Sequence, residues 1–84
     1  MLPGAALLSG VTRLTRALRP ELARLAPPTL LLWGDKDAFG APQLGHEMAA
    51  LMPHGRCEEV ADAGHLPWLD QPDRCAEAIT KFLA

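Results

Sequence analysis

The chain has 84 residues, 49% of them hydrophobic and 21% charged, with a formal net charge of -2. That length admits one domain with one modest core, and the high apolar fraction with a small net charge excludes a disordered tail. No apolar stretch approaches the roughly 18 residues of a membrane span.

Charge is uneven along the chain. Residues 1–26 carry Arg13, Arg16, Arg19 and Arg24 against Glu21 alone, and the rest of the chain is acidic. Leu7, Val11, Leu14, Leu18, Leu22 and Leu25 recur at spacings of three and four, so this first segment reads as amphipathic and helical. Pro20 breaks it, which predicts a helix from about residue 5 to 19 and a short turn through Glu21 to Leu25. The positive charges follow Leu7 and Leu8 instead of preceding them, which argues against a removed targeting leader. Four dispersed arginines in an acidic chain also give no basis for a nucleic-acid partner.

Residues 27–84 form the second segment. Thr29 to Trp33 is apolar on both alternating faces and is stopped by Gly34, the pattern of a buried strand in a parallel sheet. A loop from Asp35 to Gly40 follows. Pro42 then opens a helix whose apolar side is Leu44, Met48, Leu51 and Met52, closed by Pro53 to Gly55. Arg56 to Val60 is a second short strand, and Ala61 to His65 a loop that Pro67 keeps from becoming helical. Asp70 or Gln71 is expected to cap a last helix, with Pro72 in its first turn and Cys75, Ile79, Phe82 and Leu83 as its buried stripe. The result is an α/β chain with two parallel strands and three or four helices.

In open α/β sheets, functional groups collect in loops at the carboxyl ends of strands. Asp37 follows the first strand and His65 the second, 28 positions later. One helix and one short strand in that interval return the chain to the same sheet edge. A carboxylate beside an imidazole supplies two members of a nucleophilic triad: the acid fixes the ring tautomer, and the ring moves the nucleophile's proton. An Asp37 oxygen is therefore expected about 2.6 to 3.2 Å from a His65 ring nitrogen, with Asp35 pointing elsewhere or capping the loop. Phe39, Leu66 and Trp68 read as core packing or loop anchors ahead of an acyl pocket. His46, His54, Cys57 and His65 fit no compact metal-site spacing, so neither a metal nor another cofactor is expected. Cys57 and Cys75 lack C-x-x-C spacing and read as free thiols in a reducing, cytoplasmic setting.

The run Pro28-Thr29-Leu30-Leu31-Leu32-Trp33-Gly34-Asp35-Lys36-Asp37, then Asp62-Ala63-Gly64-His65-Leu66-Pro67, Asp70-Gln71-Pro72-Asp73 and Lys81-Phe82-Leu83, resembles the C-terminal portion of the α/β-hydrolase fold family. The resemblance covers roughly residues 20–84. It implies a triad acid in G-x-x-D after one strand, here Asp37, and a triad base in G-H after the last, here His65. In that family the nucleophile lies upstream, in a G-x-S-x-G elbow. This sequence has no such motif, and Ser9 lies in Leu7-Leu8-Ser9-Gly10-Val11. An oxyanion-hole segment of the H-G-G-G type is also missing.

The resemblance thus implies the acid and base part of a hydrolase acting on an ester or related small-molecule bond. The nucleophile would come from elsewhere, and the chain alone would be inactive. The alternative is a non-catalytic remnant or interaction module. Either way, two strands with an apolar face lead us to expect self-association or complementation by another chain.

Overall fold

A computed structural model describes residues 17–84. Its elements in chain order are α1 (Arg19–Ala23), β1 (Thr29–Gly34), α2 (Pro42–Leu51), β2 (Gly55–Val60), α3 (Pro67–Asp70) and α4 (Pro72–Leu83). The two strands pair in parallel, in register from Thr29 beside Gly55 to Gly34 beside Val60. The expected α/β architecture is thus present, two parallel strands joined through a helix. The helix expected from residue 5 and the environment of Ser9 lie outside the described residues, and the short turn expected after it is α1, with Pro20 in its first turn.

Strand alternation assigns the helices to faces. Trp33 and Cys57 approach Gly45 of α2. Val60 and Leu32 project from the other face into a cluster with Ala63 and Cys75 of α4. Both long helices begin at a proline, which fits a first turn whose amide would have no helical partner. Helix α4 adds Asp73 in its first turn and Lys81 in its last, each matching the helix dipole.

Small side chains predominate in the core. Buried apolar residues include Leu22, Ala49, Met52, Val60, Ala63, Cys75 and Ala78. Three expectations need correction. Leu30 to Trp33 are half-buried, not fully covered, because among the described residues only two strands and their helices surround them. In α4 the buried residues are Cys75 and Ala78, whereas Ile79 and Leu83 are exposed. Cys75 is the α4 residue that joins the cluster of Val60 and Ala63, with Leu32 packed against it. Finally, the loop from Ala61 to His65 is non-helical as expected, but Pro67 opens a further short helix, α3, that the sequence pattern did not mark, since proline at a first helical position loses no hydrogen bond.

Candidate active site

The sheet delivers two loops to one edge, where backbone bonds knit them together. Beyond the last paired residues, Asp35 N–H donates to Val60 O (3.0 Å) and Lys36 N–H to Ala63 O (2.9 Å). The Ala63 N–H donates to Asp35 Oδ1 at 3.4 Å, so Asp35 braces the neighbouring loop. Asp62 takes the left-handed turn conformation, at φ 56°, where the chain leaves β2. A short polar side chain makes that backbone less costly than a bulky one would.

Asp37 is held by its own loop. Its Oδ1 accepts the N–H of Phe39 at 2.8 Å and of Gly40 at 3.3 Å, an arrangement that folds the loop back over the carboxylate. The far end of that loop is pinned by Trp33, whose Nε1–H donates to Gly40 O at 2.9 Å. Facing it, His65 Nδ1 lies 3.1 Å from Asp37 Oδ2 and 3.3 Å from Oδ1. The structure therefore brings the two sequence-selected residues together. The Asp37 side chain is 5% exposed and that of His65 is 56% exposed, a sheltered acid beside an accessible ring.

Two effects compete at Asp37. Burial favours the neutral acid, but hydrogen bonds from His65 and the Phe39 and Gly40 amides, with the attraction of the imidazole, outweigh it. The carboxyl is held below its ordinary value and is ionised at neutral pH. Its charge makes Nδ1–H the donor and leaves Nε2 for proton transfer. Among the described residues, no hydrogen bond occupies Nε2.

Surroundings of the ring differ from expectation. Phe39 stacks on His65 with ring centroids 4.8 Å apart and planes tilted by 58°, yet the Phe39 side chain is exposed. Leu66 and Trp68 are exposed too, so none of the three is a core residue. Short loops after each strand hold them outside the α2 and α4 layers. Of the two residues expected to cap α4, Gln71 holds the N-cap position and Asp70 does not, and no side-chain cap bond is made there. Asp70 Oδ2 accepts the Gly64 N–H at 2.7 Å instead. Sequence reasoning missed this contact, and its only signal was an acid six positions beyond the glycine of Gly64-His65. Among the described residues no cluster of His, Cys, Asp and Glu could hold a metal ion.

A parallel βαβ unit with a sheltered carboxylate and an accessible histidine at its carboxyl edge fits the α/β-hydrolase fold. The family model for "Alpha/beta hydrolase family" matches residues 2–78, and the chain belongs to that family. It is 40% identical over 81 residues to the pimeloyl-[acyl-carrier protein] methyl ester esterase of Xanthomonas axonopodis pv. citri, a match covering 94% of this chain and 32% of that protein. The crystal structure of BpoC from Mycobacterium tuberculosis H37Rv superposes with a TM-score of 0.72 at 34% identity, over 77% of this chain and 24% of that one. A Thermoplasma acidophilum protein described as a predicted CIB-like hydrolase gives a TM-score of 0.74 at 28% identity, over 80% and 32% respectively. The chain thus spans about a third of the length of the esterase relative. Among the described residues no helix is long and apolar enough to cross a membrane.

Proposed function

We propose that this chain supplies the acid and the base for hydrolysis of a carboxylic ester, with Asp37 as the acid, His65 as the base and the nucleophile on a segment outside these residues. The observation that carries the reading is the 3.1 Å contact between His65 Nδ1 and a sheltered, ionised Asp37 carboxylate. In this reading His65 Nε2 takes the proton of a nucleophilic hydroxyl as its oxygen attacks the ester carbonyl. The same proton passes to the leaving alcohol as the tetrahedral adduct collapses to an acyl intermediate. Water then gives a proton to His65 as it attacks the acyl carbonyl, and His65 returns that proton to the nucleophile's oxygen as the acyl bond breaks and the acid leaves. Asp37 keeps its charge throughout and stabilises the imidazolium. The kinship with a methyl ester esterase favours an ester over other bonds. Free Cys57 and Cys75 fit a cytoplasmic setting for it.

The test joins this chain to the part of the Xanthomonas axonopodis esterase that it does not match and follows cleavage of an activated ester and a fatty-acid methyl ester. Turnover is expected from the joined protein and none above buffer from the chain alone. His65→Ala and Asp37→Asn in the joined protein are each expected to lower kcat on the order of 10³-fold or more. A joined protein that folds but stays inert would favour the non-catalytic interaction module, and full activity in His65→Ala would reject the assignment of the base.

A further inference from the structure

We infer that Asp70 is a positioning residue for His65, acting through the backbone of Gly64. The inference rests on the reading of His65 as the base and adds a third carboxylate to the site. Asp70 Oδ2 accepts the Gly64 N–H at 2.7 Å, the length of a charge-assisted bond. That bond closes a ring from Gly64 to Asp70 with His65 as its second member. Pro67 at the middle of the ring is fully buried, and its carbonyl accepts the Gln71 N–H at 2.8 Å, so the ring has a fixed base. Gly64 lies close to the carboxylate: a Cβ added there would be 3.3 Å from Asp70 Oδ2.

His65 is held from both sides. Upstream, Ala63 is bonded to the β1 loop through Lys36 N–H and Asp35 Oδ1. Next to it, the Gly64 N–H is tied to Asp70, which lies downstream of His65. The pair it guards has little slack: at 3.1 Å, a drift of about 0.5 Å would carry Nδ1 beyond hydrogen-bond reach of Oδ2. The His65 side chain is 56% exposed, so solvent offers its ring competing partners once the loop moves. Asp70 is not a hydrogen-bond partner of the ring and is not a catalytic residue; it places the backbone from which the ring projects. Its carboxylate makes no cap bond to α4, which leaves the Gly64 bond as its observed task.

The experiment uses the full chain labelled with ¹⁵N. In the wild type, His65 is expected to show a protonated Nδ1 when neutral, and the Gly64 amide to be protected from hydrogen exchange. Asp70→Ala is expected to lose both signatures. Asp70→Asn, whose side-chain oxygen can still accept the Gly64 N–H, is expected to keep both. In the joined esterase, Asp70→Ala is expected to lower kcat on the order of tenfold to a hundredfold with KM unchanged, and Asp70→Asn to restore most of the loss.

An unprotected Gly64 amide in the wild type overturns the inference whether or not Asp70→Ala folds. So does an Asp70→Ala chain with His65 still protonated at Nδ1, or an Asp70→Asn chain that fails as Asp70→Ala does. A wild-type His65 without Nδ1–H would overturn the pair and both proposals together. Intact Asp70-dependent spectra in an inert joined protein would reject the hydrolase reading alone.

Discussion

Gly34, the last residue of β1, packs directly against the carbonyl of Gly64, the residue before His65. A Cβ built on Gly34 would overlap the Gly64 and Ala63 oxygens. Its backbone has no positive φ, so the requirement there is space, not conformation. Backbone contact between the end of one strand and the loop of the next brings the Asp37 and His65 loops together.

Gly34→Ala is therefore expected to force the two loops apart. Substituting alanine for glycine gains about 0.4 to 1 kcal/mol from the unfolded chain, but overpacking of this kind costs about 1 to 3 kcal/mol. The net expectation is a lower midpoint in a denaturant melt, together with loss of the protonated Nδ1 signal of His65. A variant that melts like the wild type would show that the contact yields readily.

Asp37 gives the chain an acid-sensitive component. Its carboxyl is held below the ordinary value of 3.8, first against the opposing effect of burial and then by His65 and two backbone amides. A carboxyl more acidic in the folded than in the unfolded state contributes stability that is complete above pH 3.8 and disappears as pH falls through the lower, folded value. The stability difference between wild type and Asp37→Asn should accordingly be largest above pH 3.8 and narrow below it. Asp62, lowered by its hydrogen bond and charge attraction to Lys36, titrates in the same direction and remains in both proteins. Circular dichroism melts of the two proteins across that range check this, and a constant difference would refute it.

The strongest local patterns were legible in the sequence. The apolar run into Gly34 marks β1, the Leu44 and Met48 period marks α2, and the short spacing after each strand carries Asp37 and His65 to one edge. What escaped depends on shape and on distant partners. Ile79 looks like a core residue, yet α4 turns Cys75 and Ala78 inward, and the helical period alone does not fix that rotation. Phe39 looks like an anchor, yet its ring stands in solvent against His65. Asp70 fits the pattern of a helix cap, and only the three-dimensional return of the chain shows it bonded to Gly64.

The Lys36–Asp62 ion pair spans the same two loops at 2.9 Å, but both side chains are about two-thirds exposed. Solvent screens such a pair, and ordering two side chains offsets much of what it gains. The Lys36 backbone makes the more protected contact, to Ala63 O. Lys36→Ala is thus expected to leave the melt midpoint and the His65 ring signals unchanged. A clear loss of either would show that the ion pair, and not the backbone, joins the loops.

Helix α2 offers a case in which two local rules disagree. Gly45 lies mid-helix, where alanine would ordinarily gain about 0.8 to 1 kcal/mol. A Cβ there, however, would stand 2.6 Å from Trp33 Cε3 and 2.9 Å from Cys57 Sγ. Neither neighbour moves freely, since Trp33 is tied through Nε1 to Gly40 O, and Gly40 in turn donates to Asp37. Overpacking at about 1 to 3 kcal/mol outweighs the propensity gain, so Gly45→Ala is expected to lower the melt midpoint. The displaced indole should also alter Trp33 fluorescence, read in a Trp68→Phe background. In a Trp33→Leu background only the Cys57 contact remains, and the cost of Gly45→Ala should there be smaller. The same destabilisation in both backgrounds would place the cost on the Cys57 side of the helix and remove Trp33 from the account.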